Sequence, residues 1–542
     1  MIIGLQLEEN AFEQDIRELL MAFYPGAVFL YPKEDRTIRE QAEEAGGLDR
    51  LVTGRFLDGR SRYQLTVENP SGGGPSFVDG PVSDVVSGAA ENTARPYPDE
   101  AALSPVIREG LCQARENQAF LIDAANRAET KNQIKRRLYF LLMLDTGRQL
   151  PWGALTGIRP VKIPEGKLAE GWTEEEISSY MEAHYLTGEK KRKLSLEIAA
   201  EERRLLGVMD CKAGYSLYVG IPFCPTTCLY CSFTSYPIAK WSARLDEYLD
   251  ILEQELQITR EAVGGRKELQ TIYVGGGTPT SLPEKQLARL MDMICSTFDF
   301  SALREFTVEA GRPDSITREK LQIMKDHGVS RISINPQSMN QKTLDLIGRR
   351  HTVEQVVDVF HMAREAGFDN INMDIILGLP GELKEEVTHT LDVIRELGPE
   401  SLTVHCLALK RAARLNLEKD RYAEYPMAGG ALIDELVEMA ADEARAMGMT
   451  PYYLYRQKNM AGNLENVGYA SGDMACLYNI LMMEERHTVI GCGAGTTTKV
   501  VIPSENRMER LENIKNIQDY LPRFEEVLEK KKHFLTEMLE QW

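Results

Sequence analysis

The feature that most constrains the fold is a regular alternation of short strand-like runs and longer helical segments in the second half of the chain. Units of strand, helix and strand at intervals of ~25–40 residues are typical of a parallel sheet with crossover helices. Six such units fit a partial barrel better than a flat sheet, and in barrels the chemistry lies at the carboxyl ends of the strands. We predict strands at 217–223, 271–277, 305–310, 331–338, 370–380 and 401–409, separated by helices Leu245–Val263, Glu284–Phe298, Arg318–His327, Val353–Ala366 and Leu383–Leu397.

The regions on either side of this repeat have different patterns. The first 68 residues mix strand-like runs with a helical segment near Glu13–Phe23. A glycine- and proline-rich stretch follows, and then a mainly helical region in which Thr173 and Glu176 have capping-box spacing. The predicted fold class is therefore α/β, a partial (β/α)6 barrel with an N-terminal α/β plus helical region and a C-terminal α+β extension. The predicted division is 1–68, a small α/β domain; 69–98, a linker; 99–210, mainly helical; 211–410, the barrel; and 411–542, a substrate-side domain.

Charge and composition exclude several classes of protein. Of the 542 residues, 43% are hydrophobic and 27% are charged, which is typical of a globular chain rather than a disordered one. The chain has 82 acidic and 63 basic residues and a net charge of −19. A surface this acidic repels phosphate backbones, so we expect no nucleic-acid partner. Glu8, Glu9 and Glu13 stand where a secretory signal would be apolar, and we expect a cytoplasmic protein.

Residues 213–239 carry no charge over a length that could span a bilayer. The stretch contains Pro222, Pro225 and Pro237 and many hydroxyl groups, which do not suit a lipid-facing helix. We therefore expect no membrane span here.

The same stretch holds three of the nine cysteines, Cys224, Cys228 and Cys231, in the run CPTTCLYC. Zinc sites usually have four ligands, and no nearby fourth Cys or His completes such a set. Three thiolates on one tight loop suit a [4Fe–4S] cluster in which the protein holds three irons and leaves one open. A reduced loop with incidental cysteines, or an incomplete zinc knuckle, is the alternative.

A Cys-x3-Cys-x2-Cys loop after the first strand of a partial barrel resembles the radical S-adenosylmethionine (SAM) superfamily. The resemblance covers roughly 216–409. The phrases YVGIPFCPTTCLYC, IYVGGGTPT, TVEAGRPDS, RISINPQS, LIGRRHT and DIILGLPGE are similar to those of its coproporphyrinogen dehydrogenase group, and LTGIRPVK, YYLYRQKN and GCGAGTTTK resemble the HemZ type. The resemblance implies that SAM binds the open iron and is cleaved reductively to a 5′-deoxyadenosyl radical.

The resemblance also implies roles for residues at successive strand ends. Glycines let backbone carbonyls approach the SAM amino group, because a Cβ would block the approach; a tight turn is the alternative explanation for them. An arginine suits the SAM carboxylate, and polar strand-end residues contact the amine and the ribose hydroxyls. Tyr230 would lie along the adenine, and Tyr218 is a weaker match. The remaining SAM-binding candidates are Gly275, Gly276, Gly277, Thr278, Glu309, Gln337, Arg349 and Asp374.

In the dehydrogenase group, hydrogen abstraction from a propionate of coproporphyrinogen leads to loss of carbon dioxide and an electron, giving a vinyl group. The resemblance therefore implies an anionic tetrapyrrole substrate, a reduced flavodoxin- or ferredoxin-type electron donor and an anaerobic setting. Four substrate carboxylates require local cations. The candidates, which could equally be solvated surface residues, are Lys410, Arg411, Arg414, Arg456 and Lys458.

Two departures keep other functions open. The dehydrogenases continue their cluster loop as Cys-x-Cys, whereas here Ser232 and Phe233 follow the third cysteine, and they carry a histidine where this chain has Gly220. Related haem chaperones share the Cys-x-Phe ending, but this chain lacks the His-Asn pair that they have in common. A haem chaperone, or a different radical SAM enzyme that modifies a tetrapyrrole, therefore remains possible.

Other notable residues are predicted to be structural. Scattered apolar cysteines and single histidines more often pack or form hydrogen bonds than bind a second cluster or haem. The glycine-dense run 491–498 lacks GxGxxG spacing and is predicted to be a turn near the site. The residues in this class are His351, His405, His487, Cys406, Cys476 and Cys492.

Overall fold

The computed structural model describes residues 1–70, 100–117, 119–231, 233, 235–408, 413–418, 422, 425, 428–457, 464–502, 505 and 507–539. The chain forms two compact units. The N-terminal unit comprises Met1–Leu196 and Arg456–Leu464, and the barrel unit comprises Glu197–Tyr455 and Glu465–Trp542. The five-part division of the chain stays a prediction, and residues 71–98 of its linker lie outside the described residues.

The N-terminal unit contains a five-stranded sheet of order β2-β1-β3-β4-β5, in which β1 is parallel to β2 and β3 and the remaining pairs are antiparallel. Its strands are β1 (Ile2–Leu7), β2 (Val28–Leu30), β3 (Arg50–Leu57), β4 (Arg62–Glu68) and β5 (Ala119–Leu121). Its helices are α1 (Glu13–Phe23), α2 (Ile38–Ala45), α3 (Pro105–Glu116), α4 (Arg127–Thr146), α5 (Lys162–Ala169) and α6 (Glu174–Tyr185), followed by α7 (Glu189–Leu206), which continues into the barrel unit.

Local sequence signals explain where these helices begin and end. The Thr173 and Glu176 side chains form the predicted reciprocal capping box at the start of α6. The limits of helix α4 are set by its two ends: Asn126 caps its first turn, and Gly147 ends it in a left-handed conformation. Strand β3 was not predicted, since Gly54 interrupts its apolar pattern. The ring of Tyr63 fills the space beside that glycine.

The barrel unit is built on an eleven-stranded sheet of order β14-β15-β13-β12-β11-β10-β9-β6-β16-β17-β18. The run from β6 to β13 holds the six predicted parallel strands as neighbours, which confirms the predicted α/β class. These six are β6 (Gly214–Ile221), β9 (Glu268–Gly276), β10 (Glu305–Glu309), β11 (Arg331–Ser333), β12 (Ile371–Leu377) and β13 (Ser401–Cys406). The flanking strands are β14 (Thr450–Tyr455), β15 (Asn466–Ala470), β16 (Thr488–Cys492), β17 (Thr497–Ile502) and β18 (Arg507–Glu512). A separate short pair consists of β7 (Phe223–Cys224) and β8 (Tyr236–Pro237).

The five helices predicted for the barrel unit begin and end within one residue of their predicted limits. Their apolar faces cover the sheet, as the helical periodicity of the sequence indicated. The crossover helices are α8 (Leu245–Val263), α9 (Glu284–Thr297), α10 (Arg318–Asp326), α11 (Gln341–Leu346), α12 (Val353–Glu365) and α13 (Lys384–Leu397). The later helices are α14 (Arg414–Leu417), α15 (Gly430–Ala446), α16 (Leu477–Glu484), α17 (Ile517–Tyr520) and α18 (Phe524–Leu539).

Two differences from the predicted strands bear on the site. Strand β11 stops at Ser333 rather than continuing through the run RISINPQS, because Pro336 has no N–H to donate and Gln337 has a left-handed φ of 67°. The sheet also continues past β6, since β16 pairs with it in parallel. This pairing brings the glycine-dense run 491–498 to the carboxyl end of β6, where the sequence had predicted only a turn near the site.

A fully buried ion pair anchors this glycine-dense run. The Lys531 ammonium on α18 donates to Glu255 Oε1 on α8 at 2.7 Å, and both side chains are 0% exposed. The remaining lone pairs of Glu255 accept from Asn513 Nδ2 at 2.6 Å, from the Gly493 N–H at 2.7 Å and from the Tyr520 hydroxyl at 2.8 Å. A buried carboxylate with this many donors is well compensated for its lost hydration.

The uncharged residues 213–239 form strands β6, β7 and β8 with loops between them and short 3-10 turns after them. In the described part of the chain, no helix is long and apolar enough to cross a membrane.

Removing one partner of the buried pair should be costly. In Lys531→Met the Glu255 carboxylate keeps its burial but loses its counter-charge, and we expect the free energy of unfolding of the barrel unit to fall by ~3–5 kcal/mol. Denaturant titration followed by circular dichroism measures this. Lys530→Met is the matched control, since Lys530 is 63% exposed and pairs only with Glu526 at the surface. Equal stability of the two variants would contradict the expectation.

Candidate functional site

The three clustered cysteines lie on one loop that follows β6. Cys224 ends β7, and the Cys231 N–H donates to the Cys228 carbonyl at 3.2 Å, which closes the loop as a tight turn. The loop is also held from outside, since the Leu229 N–H donates to the Ile347 carbonyl at 2.9 Å. All three thiols are free and partly buried.

The surroundings of Cys224 and Cys231 disfavour the thiolate in the absence of a bound cation. Burial, with smaller contributions from the neighbouring Cys228 and Cys231, raises the pKa of Cys224 to about 11. Burial likewise raises the pKa of Cys231. Metal binding reverses this balance, because the cation stabilises the deprotonated sulfur.

The donor set fits a cluster better than a single ion. Among the residues that the structure describes, no three His, Cys, Asp or Glu side chains gather closely enough to bind one metal ion. A zinc ion would require such convergence, since each Zn–S distance is ~2.3 Å. A [4Fe–4S] cluster binds each thiolate through a different iron, so its ligands need not meet at one point.

A buried arginine with an unpartnered donor lies against this loop. Arg349 is 5% exposed, and its Nη1 donates to the carbonyls of Gly311, at 3.3 Å, and Asn335. Its Nε has no hydrogen-bond partner. The guanidinium is close enough to Tyr230 and Cys228 that both raise its pKa, although burial opposes them. A buried unpaired N–H is costly, and a ligand carboxylate would satisfy it.

Gln337 and Asp374 lie together, but only partly as predicted: Gln337 lies beyond the end of β11, whereas Asp374 lies in the middle of β12 rather than at a strand end. The Gln337 N–H donates to the Asp374 carbonyl at 2.9 Å, which fixes Gln337 in its left-handed conformation. Its side-chain Oε1 is buried and has no partner. A strained backbone and an unsatisfied acceptor at one residue are typical of a ligand-binding position.

Asp374 is held as a carboxylate. Burial raises its pKa, but the hydrogen bond and charge of His405 outweigh burial, and the pKa lies below its ordinary value. His405 Nε2 is 3.7 Å from Asp374 Oδ2, and Asn372 Nδ2 donates to Oδ1 at 2.7 Å. The Asn372 amide therefore orients the carboxylate, and His405 favours its ionised form.

Glu309, which ends β10, has the opposite character. Burial, together with the Asp374 charge, raises its pKa to about 7, although a hydrogen bond from the Tyr273 hydroxyl at 2.6 Å opposes the rise. Glu309 therefore changes charge near neutral pH, whereas Asp374 stays ionised.

The consecutive glycines Gly275, Gly276 and Gly277, here called the glycine ribbon, pack closely against Glu309, against Ile221 of β6 and against Phe223 just before the cluster loop. A Cβ on Gly277 would lie 2.5 Å from the Phe223 carbonyl oxygen, and Gly276 has a φ of 108°. A Cβ on Gly275 would lie 3.0 Å from the Glu309 carboxyl carbon. Thr278 continues the contact, donating from its N–H to the Phe223 carbonyl at 2.7 Å. The close approach of this segment to Ile221, Phe223 and Glu309 therefore requires glycine at these positions. Contact of the glycines with SAM stays a prediction.

The two candidate tyrosines have different surroundings. Tyr218 stacks on Tyr273, with ring centroids 6.0 Å apart, and on Tyr478, also at 6.0 Å. Tyr230 is partly buried, and burial raises its pKa while the adjacent Arg349 lowers it. Tyr230 thus lies beside Arg349, whereas Tyr218 packs in a stack of three rings, and contact of either ring with SAM stays a prediction.

The sequence analysis missed one residue of the site, Arg312. Its side chain is 3% exposed and pairs with Asp314 at 2.9 Å. The other face of the guanidinium reaches the cluster loop, where Nη2 donates to Thr226 Oγ1 at 3.1 Å and Nη1 contacts Cys228 Sγ at 3.5 Å. The sequence signal for this residue was the motif TVEAGRPDS, in which Arg312 follows Gly311 just after a predicted strand.

An open cavity of about 770 Å³ lies beside the cluster loop. It is bounded by the loop itself and by the segment between α11 and α12. Three of its lining side chains are arginines and one is an aspartate, so its walls carry net positive charge. The cavity is lined by Pro225, Thr226, Thr227, Pro237, Asp345, Gly348, Arg349, Arg350 and Arg414.

Of the five cations predicted to bind substrate carboxylates, the structure describes two. Arg414 is exposed and pairs with Glu418 at 3.0 Å, so it is available at the cavity. Arg456 is not a solvated residue: it is 4% exposed and donates to the Leu155 carbonyl at 2.7 Å within the N-terminal unit. Burial against backbone acceptors excludes it from carboxylate recognition in this conformation. Lys410, Arg411 and Lys458 lie outside the described residues.

The remaining histidines and cysteines occupy structural positions. His351 is fully buried 3.9 Å from Asp314, and burial lowers its pKa to about 3. His487 pairs with the Ser216 hydroxyl at 2.8 Å. The three apolar cysteines contact separate partners, namely the Glu465 carbonyl for Cys406, Glu305 for Cys476 and Lys531 for Cys492.

The raised pKa of Glu309 predicts a pH-dependent stability. Below pH 4.5, its ordinary value, the carboxyl is neutral in both states; between 4.5 and about 7 only the unfolded chain ionises, so stability falls as pH rises. Glu309→Gln cannot ionise. We therefore expect the difference in free energy of unfolding, variant minus wild type, to be ~2 kcal/mol larger at pH 8 than at pH 5.

Denaturant titrations of the protein without cofactors at the two pH values measure this difference. Glu319→Gln, an exposed acid on α10, is the control. If the two variants changed equally with pH, Glu309 would not carry the effect.

Residues 218–394 match the radical SAM superfamily. The chain is 41% identical, over 76% of its own length and 82% of the relative, to the "Oxygen-independent coproporphyrinogen-III oxidase-like protein HemZ" of Bacillus subtilis (strain 168). It is 40% identical over 240 residues to the "Heme chaperone HemW" of the same organism, covering 44% of this chain and 62% of that relative. A solved structure of coproporphyrinogen III oxidase (HemN) from Escherichia coli aligns with 60% of this chain and 72% of that one, at 23% identity and a TM-score of 0.47.

The superfamily match makes a [4Fe–4S] cluster and SAM the cofactors of the barrel unit. The HemZ similarity extends well beyond the barrel, over most of both chains. This chain therefore belongs to the radical SAM superfamily and, within it, to the family of the oxygen-independent coproporphyrinogen-III oxidase-like protein HemZ.

Proposed function

We propose that this chain is a radical SAM oxidoreductase that converts propionate groups of coproporphyrinogen III into vinyl groups. One observation carries the proposal: the buried Arg349, whose Nε has no partner, lies against the three-cysteine loop. Glu309 at the end of β10 and Gln337 beyond the end of β11 add an ionisable carboxyl and an unsatisfied acceptor. The similarity to the HemZ relative over 82% of its length supports the choice of substrate class.

Different residues would bind the cluster and SAM. Cys224, Cys228 and Cys231 would hold three irons. The free Nε of Arg349 would receive the SAM carboxylate, and the free Oε1 of Gln337 would accept a hydrogen bond from an amine or hydroxyl. When bound, the cluster and SAM supply the one-electron chemistry that begins hydrogen removal.

The positive cavity supports an anionic substrate. At each propionate the reaction removes one hydrogen atom from the β-carbon, one carbon dioxide and one electron, and the electron passes to an external one-electron acceptor. Arg350 and Arg414 at the cavity would bind substrate carboxylates. The Arg414 pair with Glu418 is a surface pair worth ~0–1 kcal/mol, so a propionate can replace it.

A haem chaperone is the second candidate, and Gly220 favours it. A Cβ at this position would lie 2.5 Å from Thr496 Cγ2, so the histidine that the dehydrogenases carry there does not fit unless the Thr496 side chain moves. The similarity to the HemW chaperone also supports this candidate, although it spans less than two thirds of that relative.

Anaerobic reconstitution with a low-potential reductant, SAM and coproporphyrinogen III, followed by product analysis, distinguishes the candidates. We expect vinyl products together with methionine and 5′-deoxyadenosine. Haem transfer without SAM cleavage would instead support the chaperone. SAM cleavage without conversion of the porphyrinogen would indicate a different tetrapyrrole reaction.

Loss of one loop cysteine should abolish both cofactor functions. In Cys228→Ser we expect bound iron and the cluster absorbance to fall at least tenfold and reductive SAM cleavage to disappear, because a [4Fe–4S] cluster depends on its thiolate ligands. Cys295→Ser, on α9, is the matched control and should behave as the wild type. A Cys228 variant that still cleaves SAM would overturn the ligand assignment.

A further inference from the structure

Arg312 stands out among the buried charges because the cofactor roles assigned above do not use it. Its guanidinium forms a fork with Asp314, with Nε 3.0 Å from Oδ1 and Nη2 2.9 Å from Oδ2. Its side chain is 3% exposed, whereas that of Asp314 is 18% exposed. This pairing fixes the plane of the guanidinium, since two parallel contacts define its orientation.

The opposite edge of the same guanidinium binds the cluster loop at three atoms. Nη1 donates to the Thr226 carbonyl at 3.3 Å and contacts Cys228 Sγ at 3.5 Å, and Nη2 donates to Thr226 Oγ1 at 3.1 Å. Thr226 in turn donates from its hydroxyl to the Gly348 carbonyl at 3.2 Å. The loop segment between the first two cysteines is therefore tied to the end of β10 and to the residue before Arg349.

We propose that Arg312 is a positioning residue that holds the cluster loop and raises the reduction potential of the cluster through its contact with the Cys228 sulfur. The inference rests on the three-cysteine assignment of the proposed function. Potentials of iron–sulfur clusters depend on local charge and on hydrogen bonds to the ligand sulfurs. A donor and a positive charge on one sulfur both stabilise the reduced, more negative cluster.

The carboxylate partner, Asp314, allows the effect of Arg312 on the reduction potential to be separated from its effect on the position of the loop. Asp314 orients Arg312 but adds negative charge near the cluster, and His351 at 3.9 Å from it is neutral because burial lowers its pKa to about 3. Removing the Arg312 charge should therefore lower the potential, whereas removing the Asp314 charge should raise it. A residue needed only for folding would not produce shifts of opposite sign.

The test is an anaerobic redox titration, followed by electron paramagnetic resonance, of reconstituted Arg312→Gln, Arg312→Lys and Asp314→Asn. For Arg312→Gln we expect reduction of the cluster to become at least tenfold less favourable, which for one electron is ~59 mV. Arg312→Lys keeps the charge but not the fork, and its potential should lie between those of Arg312→Gln and the wild type. Asp314→Asn should shift in the opposite direction.

The matched control is Arg318→Gln, in which an exposed arginine loses its surface partner Glu365. Its potential should equal that of the wild type. An unshifted Arg312→Gln, or shifts of the same sign in Arg312→Gln and Asp314→Asn, would overturn the inference. If both Arg312 variants lose the cluster, an unchanged melting temperature of the cofactor-free protein supports the loop-holding role, and a lowered one overturns it.

The measurement needs no tetrapyrrole, so failure of the porphyrinogen assay leaves it unaffected. A wild-type protein that assembles no [4Fe–4S] cluster would instead overturn both the cofactor assignment and this inference.

Discussion

The close approach of two backbones at the carboxyl end of the sheet is the constraint on which the site depends. The Gly277 N–H donates to the Ile221 carbonyl at 2.8 Å, and the next N–H, of Thr278, donates to the Phe223 carbonyl at 2.7 Å. These bonds continue the pairing of β6 with β9 beyond the regular strands and fix the backbone that leads to Cys224. Side chains on the ribbon would separate the two segments, so the glycines determine where the first cysteine lies.

Buried polar groups in the barrel unit are of two kinds. The Glu255 carboxylate has four partners and completes a structural network around α8 and α18. Other buried polar atoms have no hydrogen-bond partner, and these include Arg349 Nε and Gln337 Oε1 as well as Arg331 Nε. A buried unsatisfied atom costs free energy, which a bound ligand can recover. For Arg349 the free donor lies against the cysteine loop, since Cys228 is close enough to raise the pKa of its guanidinium, and this contact relates the free donor to the site.

Much of this arrangement could be predicted because it is local in the sequence. The apolar periodicity of the sequence predicted the limits of helix α8, and the spacing of the loop cysteines predicted the donor set. Pairing between strands that are distant in the sequence could not be predicted from such local patterns. The parallel pairing of β16 with β6 joins residues more than 270 positions apart, and nothing in either segment encodes the other. Arg456 was misjudged as a surface cation for the same reason, since its acceptor, the Leu155 carbonyl, is 301 positions away.

The distribution of arginines reconciles an acidic chain with anionic ligands. The net charge of −19 repels anions on average, but Arg312 and Arg349 lie buried against the cluster loop, and Arg349, Arg350 and Arg414 line the cavity beside it. A partly desolvated guanidinium acts over a longer range than an exposed one, because less water screens it. The cavity beside the cysteine loop therefore carries positive charge within an acidic chain, and this local charge is what the proposed anionic substrate requires.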